Sequence, residues 1–156
     1  MSFSALIPLH VALGELVALA ALWMGVELLD TPSDARIKRV LAAAFILAIS
    51  AWLSYIIGGY YYVTSYGPVK TVIKKGPWIW AHDVLMETKE HIFLAGPYIA
   101  TAIAAITYAF KRELVEDPML RRTLLVSFAI IFIGVALVLG FGVFISAGYR
   151  VALSGG

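Results

Sequence analysis

The sequence predicts an all-α fold, an integral membrane four-helix bundle, and two observations carry that prediction. The first is composition: 62% of the residues are hydrophobic, only 14% are charged, and the mean hydropathy is +0.90, values outside the range of soluble domains. The second is length. A chain of 156 residues accommodates about four spans of roughly 20 residues each, with short connections. We therefore expect residues 1–156 to form a single transmembrane domain.

The first two helices are expected at about residues 5–29 and 40–63. No Lys or Arg precedes the first apolar stretch and no small-residue cleavage site follows it, which favours a retained helix over a signal peptide. The polar segment around Pro32 ends helix 1, and Ser33 or Asp34 suits the N-cap of helix 2. Three consecutive tyrosines, residues 60–62, are typical of a membrane–water interface.

Helices 3 and 4 are expected at about 78–111 and 123–147, separated from helix 2 by a long basic loop at 64–77. The first turns of helix 3, through Glu90, are too polar for hydrocarbon, so this helix is expected to extend beyond the bilayer. Its apolar part, Ile92 to Phe110, contains a kink at Pro97.

The distribution of basic residues predicts sidedness. The short connections after helices 1 and 3 hold seven basic residues, and the opposite side holds five. The positive-inside rule then places the N and C termini on the same, outer side, together with the long loop. We expect a multi-pass protein of a prokaryotic cell (inner) membrane, with the lipid bilayer as its main partner.

Several classes of function are disfavoured by what the sequence lacks. It contains no cysteine, which excludes disulfides, thiolate-held iron–sulfur clusters and the attachment motif of c-type haem. No basic patch interleaves with aromatic residues, so no nucleic-acid partner is expected. Hydrolysis has little support, because no Ser/His/Asp spacing, phosphate loop or HExxH motif occurs.

Two of the three histidines are expected at one depth. His10 and His91 each lie 19 residues from the inner end of their helix, which is roughly 28 Å at 1.5 Å per residue. That height corresponds to the outer edge of a hydrocarbon core about 30 Å thick. His82 lies nine residues further out on helix 3 and is expected to be solvated.

Small residues follow both histidines along the helix, which indicates faces that pack closely on other helices. We therefore expect both side chains to point into the bundle, although ordinary helix packing produces the same pattern. At that level helices 2 and 4 carry four glycines: Gly58, Gly59, Gly140 and Gly142. Two axial histidines with space around them are what a bis-histidine haem b requires.

The overall plan resembles the small four-helix membrane b-type cytochromes, including the copper-resistance D-like group. The first helix in that group carries a His before a Trp-x-Gly segment. Here His10 precedes Trp23-Met24-Gly25. The resemblance covers helix 1 and the four-helix plan, and it implies haem and quinone-linked electron transfer.

A second ligand set is present around helix 3. Asp83, Glu87 and His91 are spaced i, i+4, i+8 and share one helical stripe, with Glu90 beside it. Carboxylates and imidazoles are the ligands of non-haem transition-metal sites. The candidate metal ligands are His10, His82, His91, Glu87 and Glu90. The alternative is a solvated acidic face near a helix N-terminus, where negative charge is favourable.

Glu15 lies within helix 1, some 7 Å deeper than His10 by helical rise. It is a candidate for proton transfer, for contact with quinone, or for a hydrogen bond to a neighbouring subunit. Glu27 is expected to be solvated at the inner interface.

The lead hypothesis is a haem b protein that passes electrons to or from quinone or a partner redox protein. The alternative is a non-redox accessory subunit of a membrane complex, in a homo- or hetero-oligomer, with the His/Glu cluster binding a metal or a partner.

Overall fold

The computed structural model describes residues 5–155, without the side chains of residues 92 and 93. Every regular element in this part of the chain is helical, which confirms the predicted all-α class. The elements are α1 (Leu6–Leu28), α2 (Asp34–Ser65), α3 (Gly67–Lys75), α4 (Ala81–Ala109), α5 (Glu113–Glu116) and α6 (Pro118–Leu153).

Four of these helices, α1, α2, α4 and α6, are long and apolar enough to cross a membrane. This is compatible with a multi-pass membrane protein. Helices α2 and α6 extend beyond the predicted 40–63 and 123–147 at both ends. Capping side chains fix the starts: Ser33 Oγ accepts from Arg36 N at 3.4 Å, and Asp117 Oδ1 accepts from Met119 N at 2.8 Å. Hydropathy therefore located the apolar part of each helix but not its polar first turns.

The predicted long loop at 64–77 is largely helical, because it contains α3. Pro68 lies in the first turn, where its missing N–H costs no hydrogen bond. Ile73 is fully buried, whereas Lys74 and Lys75 occupy the last turn and favour the negative end of the helix dipole. The segment is thus a short amphipathic helix packed against α6 and the start of α4.

Helix α4 begins with a π-helical segment, Ala81–Met86, and continues as an α-helix from Glu87 to Ala109. It starts three residues later than the predicted residue 78. The backbone N–H of Glu87 reaches the carbonyl of His82, five residues earlier, which is the hydrogen-bond pattern of a π turn.

Contacts between the long helices show which helices are neighbours. Helix α1 packs on α2 and on α6, and α2 also packs on α4. The α1–α2 contact is antiparallel, because His10 meets Ser54 near one end and Glu27 meets Arg39 near the other. We call these two regions the His10 end and the Arg39 end.

Each end has its own apolar cluster. The larger cluster extends from the middle of the long helices to the Arg39 end and includes fully buried Met24, Leu47 and Phe128. The smaller one lies at the His10 end, where Ile73 of α3 packs with Ile145 of α6. The polar side chains described next lie between and beside these clusters.

Candidate functional site

His10 is anchored to α2 by two-way hydrogen bonding with Ser54. The Ser54 hydroxyl donates to the His10 carbonyl at 3.1 Å. The Ser54 carbonyl lies 2.9 Å from His10 Nδ1, and because a carbonyl can only accept, Nδ1 carries the proton. Nε2 is left as the acceptor of the ring. Ser54 is fully buried, so the imidazole orientation is fixed from within the helix assembly, as expected for His10.

Gly58 makes this position of the imidazole possible. A Cβ atom built on Gly58 would lie 2.6 Å from Cε1 and 2.7 Å from Nδ1 of His10. The ring therefore lies directly against the backbone of α2, where any larger residue would displace it. Gly58 was predicted to leave space for a haem beside His10, but the His10 ring itself occupies the space at this glycine.

The group opposite His10 is Lys89, which the sequence interpretation did not single out. Its Nζ lies 3.5 Å from His10 Nε2. A Cβ built on Gly142 of α6 would lie 3.8 Å from the same Nζ. An ammonium group thus lies between α1 and α6, beside a position of α6 that carries no side chain. The sequence shows only a lysine one turn before an apolar stretch. A lysine in that position more often lies at the membrane interface.

Lys89 and its neighbour Glu90 are incompletely paired. Lys89 forms no salt bridge with a carboxylate in the described part of the chain. Oε1 of Glu90 is buried and has no hydrogen-bond partner among the described residues, although the carboxylate does interact with Tyr62. Donors and an acceptor with remaining capacity therefore lie on consecutive residues of α4, Lys89 toward His10 and Glu90 toward Tyr62. We call His10, Ser54, Gly58, Lys89 and Gly142 the His10 site.

His91 does not join the His10 site, and the expectation that it points inward is wrong. Its side chain is exposed, and Nδ1 lies 2.6 Å from the carbonyl of Glu87 on its own helix. The small residues on its face, Ala95, Ala102 and Ala109, are also exposed. Small residues indicate close packing only where another helix covers them, and no helix within residues 5–155 covers this stripe.

The four glycines predicted at the level of His10 also differ in whether they lie at the His10 site. A Cβ on Gly59 or on Gly140 would meet nothing within 4 Å. These two glycines therefore do not line the His10 site, in contrast to Gly58 and Gly142. The helical face distinguishes the two pairs, because all four glycines were predicted at one level from residue counts alone.

His82 forms a second cluster, and the expectation that it is solvated is wrong. Its side chain is 1% exposed, beneath α3. The Tyr66 hydroxyl lies 3.2 Å from Nδ1, and Oε1 of Glu87 lies 3.5 Å from Nε2. Helix α3 covers this region, and its presence was not predicted from the sequence. Asp83 faces the other way and pairs with Lys74 at 3.1 Å.

The π turn explains why His82 and Glu87 meet. Residues five apart lie about 140° apart around an α-helix, on different faces. A wider π turn brings positions i and i+5 together. The predicted α-helical stripe of Asp83, Glu87 and His91 is therefore broken: Asp83 pairs with Lys74, Glu87 contacts His82, and His91 is exposed.

Tyr66 closes the second cluster. It lies between α2 and α3, is 3% exposed, and stacks on Tyr62 with ring centroids 5.3 Å apart. Burial raises the pKa of the Tyr66 phenol well above its ordinary value, and the neighbouring Tyr62 and Glu90 add to the rise. The phenol therefore stays protonated, able to donate to His82 Nδ1.

The remaining predicted residues lie apart from both clusters. Glu15 is exposed on α1. Glu27 was expected to be solvated, but its side chain is only 12% exposed and accepts from Arg39 at 2.6 and 3.0 Å. The short connection between α1 and α2 places the guanidinium group of Arg39 next to this carboxylate.

Residues 5–155 contain no group of three or more His, Cys, Asp or Glu side chains arranged to hold a metal ion. The predicted ligands His10, His82 and His91 are therefore not brought together with Glu87 and Glu90 at one metal centre. Comparison with known protein families, curated proteins and solved structures found no match for the chain.

The contacts of His10 and His91 bear on whether these residues could hold a haem b. An axial ligand needs a free imidazole nitrogen facing open space. Nε2 of His10 faces Lys89, the ring lies against Gly58, and His91 faces outward. This arrangement does not fit a macrocycle held between His10 and His91. That a haem is bound stays a prediction.

Proposed function

We propose that this chain is an integral membrane subunit that binds the head of a quinone at the His10 site. The observation that carries the proposal is Lys89: a half-buried ammonium between apolar helices whose near neighbour is an imidazole nitrogen at 3.5 Å. In this proposal the helices form a four-helix transmembrane bundle, with both termini and the His10 end outside by the positive-inside rule.

The donor capacity of Lys89 indicates the chemistry of the ligand. An ammonium group has three N–H donors, and one of them faces His10. Leaving a charged group unpaired away from water is costly, so a bound acceptor stabilises it. Ligands that reach this position from the bilayer are lipid-soluble, and a quinone presents two carbonyl oxygens on an apolar ring. At Gly142 no side chain of α6 lies between the ammonium and such a ring.

The neighbouring groups suit the protons that quinone chemistry requires. Reduction of a quinone to a quinol takes up two electrons and two protons. Glu90 has a buried oxygen without a partner next to Lys89, and it contacts Tyr62 of the second cluster. We assign proton exchange to these residues. The electrons come from a one-electron redox protein bound as a partner, since the described residues do not fit an internal haem between His10 and His91.

Quinone binding to the purified protein in nanodiscs tests the proposal. A short-chain benzoquinone and a short-chain naphthoquinone are titrated, with quenching of tryptophan fluorescence and the amount of extracted quinone as readouts. We expect saturable binding of at least one quinone. His10→Ala and Lys89→Met should weaken it by roughly 10- to 100-fold, the value of one hydrogen bond to a charged or buried group.

Matched variants provide the controls. His91→Ala changes the exposed histidine, and Lys111→Met changes a lysine that lies over the Tyr108 ring. Both should bind quinone as the unchanged protein does. Equal loss in all four variants, or no saturable binding, would contradict the proposal. If phosphatidylglycerol in the nanodiscs is sufficient to displace the quinone, the site would instead be assigned to an anionic lipid.

A visible spectrum of the same preparation addresses the redox centre. We expect no Soret band after haem-replete expression. A low-spin band that is lost in His10→Ala and retained in His82→Ala would overturn the assignment of the redox centre to a partner and restore the internal haem.

A further inference from the structure

The surface of α1 that faces away from the other helices carries a heptad pattern. The residues Ala12, Glu15, Leu19, Leu22 and Val26 are spaced 3, 4, 3 and 4 apart, and all five are exposed. Leu19, Leu22 and Val26 are 61%, 50% and 56% exposed. We call these five residues the α1 seam. The buried residues of the helix, such as Gly14, Val17 and Met24, lie on its opposite side.

An a/d spacing of this kind is the pattern of two helices packed side by side. Apolar residues alone would not distinguish such a seam from a lipid-facing surface, because leucine and valine suit both. Glu15 makes the distinction. It lies about 13 Å from the start of α1 by helical rise, inside a helix long and apolar enough to span a membrane.

A carboxyl group facing hydrocarbon lacks any hydrogen-bond partner and is costly. No hydrogen bond or salt bridge within residues 5–155 satisfies Glu15. An identical helix related by a two-fold axis supplies the missing partner, because residue i then faces residue i of the other copy. A carboxyl group offers both a donor and acceptors, so two of them at one point satisfy each other.

We propose that the α1 seam is the interface of a parallel homodimer in the membrane. Glu15 of each copy hydrogen-bonds to Glu15 of the other copy. A single polar residue at one heptad position fixes register and oligomeric state in such pairs. The occupant of this face is therefore a second copy of this chain.

The absence of cysteine from the sequence makes disulfide cross-linking a direct test. Leu19→Cys and Leu22→Cys are introduced singly, and isolated membranes are oxidised with copper phenanthroline. Both should form covalent dimers. Ile130→Cys and Ile133→Cys provide the control, because these α6 residues are exposed to a similar degree, 65% and 58%, but lie outside the seam. They should remain monomeric.

Glu15 is tested on the same background. Combined with Leu22→Cys, Glu15→Gln should keep the cross-link because an amide pair replaces the acid pair. Glu15→Leu should weaken dimerisation by about ten-fold, as expected for one interhelical hydrogen bond in a membrane. Circular dichroism confirms that each variant is helical.

The proposal would be overturned by equal cross-linking at the α6 positions, by no cross-link at either seam position in a folded protein, or by unchanged dimerisation of Glu15→Leu. A different subunit that cross-links to the seam in place of the second copy would do the same.

Discussion

The two ends of the helix assembly differ in how their charged side chains are paired. At the Arg39 end the carboxylate of Glu27 accepts from Arg39 at 2.6 and 3.0 Å and from the Trp23 indole at 3.2 Å. At the His10 end the ammonium of Lys89 faces an imidazole nitrogen at 3.5 Å. The first arrangement uses opposite charges to join two helices. The second leaves donors with remaining capacity, and this is why we assign ligand binding to the His10 end.

The largest expected effect comes from filling the space beside His10. In Gly58→Ala the new methyl group must displace the imidazole, because it would lie 2.6 Å from Cε1. We expect loss of quinone binding and a destabilisation of about 1–3 kcal/mol, as for overpacked cores. Titration of quinone and thermal unfolding in detergent measure the two effects.

Gly59→Ala is the matched control, since a Cβ there meets nothing within 4 Å. It should leave binding unchanged and slightly raise stability through helix propensity. Similar behaviour of the two alanine variants would show that His10 does not depend on Gly58.

Replacing one charged residue at each end should change stability in opposite directions. Lys89→Met removes an unpaired charge and keeps the volume, so the ligand-free protein should become more stable by about 1 kcal/mol. Arg39→Met leaves Glu27 without its main partner and should lower stability. Thermal unfolding of both variants, followed by near-ultraviolet circular dichroism, measures the difference. A loss of stability in both would remove the distinction between the two ends.

The smallest expected effect concerns Tyr66 at alkaline pH. Its folded-state pKa is raised by burial above the unfolded value near 10. The neutral phenol therefore contributes its full stability below pH 10, and that contribution is lost as the pH rises toward the folded-state pKa.

Tyr66→Phe should consequently flatten the fall in unfolding free energy above pH 10, while Tyr60→Phe, whose side chain is 59% exposed, should not. Chemical denaturation at several pH values between 9 and 11 measures both. An equal slope in Tyr66→Phe and the unchanged protein would show that the phenol does not contribute.

Most of the helical plan could be predicted from the sequence because hydrophobic composition determines which segments avoid water. Helices α1, α2, α4 and α6 all follow from that property. The ends of α2 and α6 could not be predicted so well, because Ser33 and Asp117 extend the helices through polar turns. Helix α3 was not predicted, because the Gly67-Pro68 and Gly76-Pro77 pairs at its two ends are typical of turns.

The candidate site was predicted only in part. The proximity of His10 to Gly58 follows from counting residues along straight helices. The face of His91 does not, because small residues lie on covered and uncovered helix surfaces alike. The burial of His82 could not be predicted from the sequence, because it depends on α3 and on a π turn that no local sequence pattern indicates.

The π segment at the start of α4 also determines how this region tolerates insertions and deletions. A π turn contains about one residue more than the α-helical turn it replaces, so deleting any one of residues 81–86 would restore a regular helix. The helix from Glu87 onward would keep its orientation, while the Trp78–Trp80 segment and α3 before it would be rotated by about 100°, the angle per residue of an α-helix. Natural variation in chain length should therefore avoid this stretch.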